Sequence, residues 1–319
     1  MASANPLFDS LVSGVLSGDA RSLSRLITRI ENREPGWKQA MQRLYPVSGN
    51  AAVIGITGSP GAGKSTLTNA LAQNLAAGGK KIGVIAVDPS SPFSGGALLG
   101  DRLRMREAAV NPDIFIRSMA TRGALGGLCQ GARDVARAMA AFGKDVILIE
   151  TVGVGQDEVE VVKTADLVLV VLTPGQGDGI QALKAGIMEI ADIYVVNKAD
   201  REGADEVVAD VCAMLELART HDEPDAPVIK ASALTGLGVD ELTRAVLEGL
   251  AGGKNRSAWQ RARIKEEVLG LVEGHLLSAL IARFSKNGAL DHAVDEILAG
   301  ASDPYTAADQ ILEQARINP

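Results

Sequence analysis

The chain has 319 residues, a net charge of −7, 46% hydrophobic residues and only 3% aromatic ones. The acidic balance excludes broad nucleic-acid binding, and two cysteines, Cys129 and Cys212, with three scattered histidines make no zinc pattern and suit a reducing compartment. The longest apolar run, Leu167 to Leu172, is far too short for a membrane span and the N-terminus lacks a basic leader, so a cytoplasmic protein with no membrane or nucleic-acid partner is expected.

Residues 5–45 carry apolar positions at helical spacing: Leu7, Leu11 and Val15, then Leu23, Leu26 and Ile30. Asp19 stands where it can cap the second of these helices. Tyr45-Pro46 and Ser48-Gly49-Asn50 form a linker, so residues 1–50 read as a helical N-terminal extension. From 51 to 250 strand and helix alternate. Strands are expected at Val53–Thr57, Ile82–Val87, Ile114–Arg117, Val146–Ile149, Leu167–Leu172, Ile193–Val196 and Val228–Lys230, and helices at 64–77, 127–142, 179–190, 203–219 and 239–250. Apolar strands joined by crossover helices predict an α/β fold, with a mainly parallel sheet covered on both faces and its ligands at the carboxyl ends of the strands. Residues 251–319 form a helical C-terminal arm. Val268, Val272, Leu276, Leu280 and Phe284 make a stripe there, widened by Ile264, Leu269, Leu277 and Ile281; it suits packing on its own domain and dimerisation equally.

The stretch from Val53 to Leu67, VIGITGSPGAGKSTL, joins the first strand of this pattern to its first helix. It fits G-x-x-x-x-G-K-[ST], a phosphate-binding P-loop. Gly58, Gly61 and Gly63 let the backbone N–H groups of Gly58, Ser59, Pro60-Gly61, Ala62, Gly63, Lys64, Ser65 and Thr66 wrap a polyphosphate (Pro60 itself supplies none), and the helix brings its positive end to the same anion. Lys64 reaches the β- and γ-phosphates, and the Ser65 hydroxyl ligates Mg²⁺.

Asp88 ends the second strand and precedes a segment rich in Pro, Ser and Gly that runs to Asp101. Carboxylates at such a mouth bind Mg²⁺ directly or through water; each, taken alone, also suits a turn or a helix cap. Glu150 ends the strand VILIE, in the place of the acidic Mg²⁺-side residue of P-loop enzymes, and Gly153 follows as a sensor of the γ-phosphate. Many such enzymes carry Asp where Glu150 stands. Val154 occupies the position of a water-orienting Gln, and Gln156 is displaced from it by two residues, so slow intrinsic hydrolysis is expected.

Asn197-Lys198-Ala199-Asp200 closes the strand YVVNKAD. In N-K-x-D, Asp200 accepts from guanine N1–H and N2–H₂ while the Lys198 stem covers the base. Adenine has no matching donors and would leave the carboxylate unpaired. Ser232-Ala233 fits the accessory loop that meets guanine O6 through backbone N–H. Together these motifs indicate GTP or GDP as the ligand and GTP hydrolysis as the chemistry. The loop Pro174–Gln181, with Gly175, Gln176, Gly177 and Asp178, emerges at the same edge of the sheet and reads as a switch to a partner, or as a plain connection with Asp178 as a helix cap.

Four stretches, GSPGAGKST, DPSSPFSGGALLGDRLRM, ETVGVGQDEVEV and TPGQGDGIQALKAGI, resemble the MeaB/ArgK/MMAA family of P-loop GTPase chaperones for adenosylcobalamin-dependent acyl-CoA mutases. The resemblance runs from about residue 5 to at least 250. It implies a homodimeric GTPase that guards cofactor loading and repair on methylmalonyl-CoA mutase or a related mutase. It also implies that Ser65, Asp88, Asp101 and Glu150 make the Mg²⁺ and hydrolysis centre, with Lys64, and that the loop Gly175–Gln181 with Asp178 faces the mutase. The segment Phe93-Ser94-Gly95-Gly96 resembles one branch of the family better than its mutase-paired branch. Two alternatives are a kinase or GTPase linked to arginine/ornithine transport, which N-K-A-D argues against as an ATP user, and a GTP-dependent nickel metallochaperone, against which His221, His275 and His292 lie far apart.

Overall fold

The computed structural model describes residues 6–49, 51–88, 110–120, 127–151, 165–175, 191–218, 226–252, 256–286 and 288–314. Asp101, Gly153, Gln156, Gln176, Gly177, Asp178, Gln181 and the helix expected at 179–190 lie outside them, and Asp88 is described by its backbone alone. Contacts divide the chain into two compact units, Met1–Gly252 and Gly253–Pro319.

The first unit is built on seven strands: β1 (Ala52–Gly58), β2 (Ile82–Asp88), β3 (Ile114–Ala120), β4 (Val146–Glu150), β5 (Leu167–Leu172), β6 (Ile193–Val196) and β7 (Val228–Lys230). Their order is β3-β2-β4-β1-β5-β6-β7, and every pairing is parallel. β4 and β5 are buried along their whole length, as continuous apolar strands must be when helices cover both faces. One face packs α4 (Lys64–Ala77) and α7 (Val239–Ala251) around Ile54, Ile56, Leu148, Leu169 and Val171. The other packs α5 (Gly127–Ala141) on Ile85, Ile147 and Ile149, and α6 (Ala204–Ala218) on Val170, Tyr194 and Val196.

The N-terminal helices α1 (Pro6–Leu16), α2 (Ala20–Glu31) and α3 (Trp37–Leu44) share that second face. Phe8, Leu11, Leu23, Leu26 and Ile30 lie in one cluster with Ile85, Val87, Val135 and Met139. Asp19 caps α2, accepting from the N–H of Arg21 at 3.1 Å and of Ser22 at 3.0 Å. Arg117 of β3 pairs with Glu31, and Arg33 reaches the buried Asp134 of α5 at 2.5 Å. β3 therefore extends past Arg117 to Ala120: it is an edge strand, and the polar side chain that interrupts its apolar run is paired to α2.

Three aspartates stand just before strands at the amino edge of the sheet. Asp145 accepts from Lys81 N–H at 2.8 Å, Asp166 from Val53 N–H at 2.8 Å and Asp192 from Val168 N–H at 2.9 Å. Each carboxylate ties the start of one strand to its neighbour and so fixes parallel register. The opposite edge is left for ligand. The chain leaves β1 toward β2 and β3, returns in β4 beside β1, and then crosses to β5 on the far side. The carboxyl ends of β1 and β4 thus flank the point where connections diverge, which is where open α/β sheets bind ligands.

The second unit comprises α8 (Arg256–Lys286), α9 (Ala289–Leu298) and α10 (Pro304–Gln314). Glu267, Phe284 and Ala307 are buried, whereas Ile264, Val268, Leu269, Val272, Leu276, Leu277 and Ile281 are exposed. The sequence of α8 holds no long uninterrupted apolar run. As one continuous helix, Arg261–Lys286 is long and apolar enough to cross a membrane by length and composition alone.

Candidate nucleotide site

β1 ends at Gly58, and the turn to α4 requires glycine at three places. Gly58, Gly61 and Gly63 have φ of 139°, 76° and 86°. A Cβ on Gly58 would stand 2.1 Å from Val171 O, and one on Gly63 would stand 2.5 Å from Asn197 Nδ2. The glycines therefore permit both the backbone turn and the close approach of β5 and β6. Lys64 opens α4 and is buried; its ammonium donates to Gly58 O at 2.7 Å and Ser59 O at 3.1 Å, across the loop. The amine predicted to bind phosphate is thus held across the turn by the loop's own carbonyls.

Glu150 pairs in register with Ile56, one strand over, and only 4% of it is exposed. It accepts the Ser65 hydroxyl at 2.5 Å. The two predicted Mg²⁺-side groups from β4 and α4 therefore meet. An alcohol and a carboxylate are hard oxygen donors of the kind Mg²⁺ takes. Among the described residues no group of three or more His, Cys, Asp or Glu gathers to hold a metal. The backbone of Asp88 ends β2, next to β4 at the same edge. Thr151 follows Glu150 and is buried, its hydroxyl 3.1 Å from that of Thr57, which locks the ends of β4 and β1 together.

The predicted guanine-reading motif closes β6. Asn197 is 2% exposed and bridges two loops: Nδ2 donates to Ala62 O at 2.8 Å, and Oδ1 accepts from Ala233 N–H at 3.1 Å. Lys198 takes a left-handed backbone, φ 59°, and its ammonium donates to Gly61 O at 2.7 Å. The stem thus lies beside the P-loop. Asp200 is exposed; the Ser232 hydroxyl, its own backbone N–H and the nearby Arg201 and Lys198 charges hold its carboxyl below the ordinary 3.8. Its acceptor oxygens therefore stay ionised below the pH at which an ordinary aspartate protonates. Ser232 N–H donates to Leu237 O at 2.8 Å. Both predicted loop amides, those of Ser232 and Ala233, are engaged within the protein. Ser232 acts here through its hydroxyl on Asp200.

Sequence reasoning treated Asn197 only as a letter of the motif. Its use as a tie between the P-loop and the Ser232 loop was not foreseen, and neither was the Thr57–Thr151 pair. A threonine at the end of β1 and another just past β4 were the available signal. Of the predicted switch the described residues include Pro174 and Gly175, the latter at φ 82°.

Residues 23–285 match the family model for the methylmalonyl Co-A mutase-associated GTPase MeaB. The chain belongs to the MeaB family. It is accordingly a GTPase with the fold of P-loop proteins, as its similarity to named GTPases also indicates. A relative from Pyrococcus horikoshii is 46% identical over 312 residues, 96% of this chain and 98% of its own. The GTPase ArgK of Escherichia coli is 38% identical over 271 residues, 79% of this chain and 82% of its own. The mitochondrial methylmalonic aciduria type A homolog of Caenorhabditis elegans is 31% identical over 338 residues, 97% of this chain and 83% of its own. A solved LAO/AO transport system kinase superposes with a TM-score of 0.72 at 27% identity, covering 99% of this chain and 100% of that one.

Proposed function

We propose that this GTPase acts as a nucleotide-controlled chaperone of an adenosylcobalamin-dependent acyl-CoA mutase, methylmalonyl-CoA mutase or a relative. The observation that carries the nucleotide half is the Asn197 tie, which brings the P-loop and the Asp200 loop to one edge of the sheet. Lys64 turns its ammonium from Gly58 O and Ser59 O to the β- and γ-phosphates, and the glycine-rich turn cradles them. Ser65 and Glu150, with Asp88 and Asp101, would hold Mg²⁺, which when bound neutralises charge on the phosphates. Gly153 senses the γ-phosphate, and the loop Gly175–Gln181 with Asp178 passes the nucleotide state to the mutase.

The mutase half rests on the family match over residues 23–285. A protein partner also suits α8. Glu273 and Arg283 lie along its apolar stretch, and charged groups are costly in a bilayer, whereas a second copy of the helix would cover the stripe from Ile264 to Ile281. The homodimer is therefore assigned to this arm. In sedimentation velocity the chain alone should run as a dimer, and an added cobalamin-dependent mutase should co-sediment with it in a manner set by the bound nucleotide. A monomer that ignores the mutase with both GTP analogue and GDP would remove this reading. The likeness to a transport-system kinase favours no separate activity, because Asp200 selects guanine rather than ATP.

That selection has its own test. Asp200→Asn replaces an acceptor oxygen by a donor, which suits the extra carbonyl of xanthine and leaves guanine N1–H facing an amide. The substitution is expected to lower GTP affinity about 100-fold and raise xanthosine triphosphate affinity by a similar factor, from the loss or gain of about two hydrogen bonds to a charged or matched group. Calorimetry with GTP, xanthosine triphosphate and ATP reads it out; equal ATP and GTP affinity in the unsubstituted chain would contradict the assignment.

A further inference from the structure

Two threonines are buried side by side where otherwise apolar strands end. Thr57 directly precedes Gly58, the first glycine of the P-loop, and Thr151 directly follows Glu150. Thr57 is fully buried and Thr151 is 3% exposed. Thr151 donates its hydroxyl to that of Thr57 at 3.1 Å, with Ile56 O 3.4 Å away, and its backbone N–H donates to the same Ile56 O at 3.0 Å. Along β4, Val146 and Leu148 join the cluster around α4, whereas Ile147 and Ile149 join the one around α5. Glu150 continues the first set and Thr151 the second. The hydroxyl pair therefore lies on the face of the sheet away from Ser65, which Glu150 meets at 2.5 Å.

Glu150 is the last residue of β4 to pair with either neighbour, Ile56 of β1 and Ala86 of β2. The end of an element is where it opens most readily, yet this end carries the carboxylate predicted to serve hydrolysis. Thr151 extends the hold on β1 by one residue, with backbone and side chain together. Burying hydroxyls is costly unless they are bonded. What the bonded pair adds over two apolar side chains is direction: apolar contact has none, whereas a hydrogen bond fixes distance and angle.

We infer that Thr151, through its hydroxyl bond to Thr57, is a positioning residue for Glu150 in GTP hydrolysis. The bond holds the end of β4 against the strand that delivers the P-loop, and so keeps the carboxylate in place opposite Ser65. It acts from the other face of the sheet and touches no reacting atom. The inference rests on the reading above that Glu150 serves Mg²⁺ beside the γ-phosphate.

The test measures single-turnover GTP hydrolysis, GDP affinity and melting for Thr151→Val, Thr151→Ser, Thr57→Val, Glu150→Gln and the Thr151→Val/Glu150→Gln double variant. Thr151→Val is expected to slow turnover about tenfold, the scale of a small misplacement of a group at the reaction, while GDP affinity stays within about twofold of the parent. Thr151→Ser keeps the hydroxyl and should turn over within about threefold of the parent. Thr57→Val breaks the same bond from the other side and should slow turnover as Thr151→Val does. Because Thr151 acts only through the carboxylate, the double variant should be no slower than Glu150→Gln alone. A merely structural threonine would lower melting and leave turnover alone, or slow the double variant by the product of the two single effects. Either result overturns the inference, as does a serine variant as slow as the valine one or a loss of GDP affinity that matches the loss of turnover. Parent-like turnover in Thr151→Val beside slow turnover in Glu150→Gln removes Thr151 and leaves the reading of Glu150 standing; parent-like turnover in Glu150→Gln removes both. If Thr151→Val does not fold, Thr57→Val carries the test, and if neither folds the pair belongs to the architecture alone and the inference is wrong.

Discussion

Replacing Lys64 by alanine is expected to abolish tight binding of GTP and GDP while the chain still folds. The ammonium lies across the P-loop turn, donating to Gly58 O and Ser59 O at 2.7 and 3.1 Å. Charge-assisted bonds of this kind to a phosphate contribute about 1.5–3 kcal/mol each, so two of them set the expected loss at roughly 10²–10⁴-fold in affinity. The fold depends much less on this group. The apolar contacts of α4 are made by Leu67, Leu71, Ala72, Leu75 and Ala76, which face Ile54, Ile56 and Leu148. Losing Lys64 leaves two loop carbonyls without that donor, a cost of about 1–2 kcal/mol that should lower the melting temperature by only a few degrees. Arginine should not restore binding, since its planar fork is bulkier than the point charge this turn encloses. Calorimetry and thermal melting on the same preparations decide it: nucleotide affinity within threefold of the parent in a folded Lys64→Ala chain would take Lys64 out of the site.

How far the sequence reveals this site depends on how local the physics is. The P-loop could be read because a strand, a positive-φ turn and a helix start are all written within one stretch, and Gly58, Gly61 and Gly63 take the left-handed backbone that their spacing implies. Glu150 was legible as the end of an apolar strand, but its partner was not. The Ser65–Glu150 bond joins residues 85 apart and exists only because β4 lies beside β1. The same holds for Asn197, whose bonds to Ala62 and Ala233 span 135 and 36 residues. Asp145, Asp166 and Asp192 look like turn residues before strands, and nothing in a linear reading says that each accepts an N–H at the start of a neighbouring strand. Thr151 is the extreme case. A threonine after an apolar strand is unremarkable in sequence, and only burial together with a bond to Thr57, 94 residues away, distinguishes it. The stripe on α8 was legible as a pattern, whereas its exposure was not, because periodicity marks an apolar face without saying what covers it.

The second large effect is expected at Glu150, where charge and shape can be separated. Glu150→Gln keeps the volume and one acceptor oxygen for the Ser65 hydroxyl, now at 2.5 Å from the carboxylate, and removes only the negative charge. If that charge serves Mg²⁺ beside the γ-phosphate, turnover should fall by about 10²–10³-fold, the range for losing one preorganised electrostatic contact to a developing charge. GDP affinity should change by no more than about threefold, because the demand on the ion is greatest where the γ-phosphate is transferred. A carboxylate that merely anchors the start of α4 predicts the reverse pattern. Glutamine would then be nearly silent, since it still accepts from Ser65. Glu150→Ala, which strands the Ser65 hydroxyl and empties a site only 4% exposed, would weaken GDP and GTP alike and lower melting. Single-turnover hydrolysis measured against Mg²⁺ concentration distinguishes the two. A charge-dependent role gives Glu150→Gln slow turnover that added Mg²⁺ partly restores. Parent-like turnover in Glu150→Gln, with affinity and melting lost only in Glu150→Ala, would assign Glu150 to the architecture of the loop and leave Asp88 and Asp101 to supply the carboxylates of the hydrolysis centre.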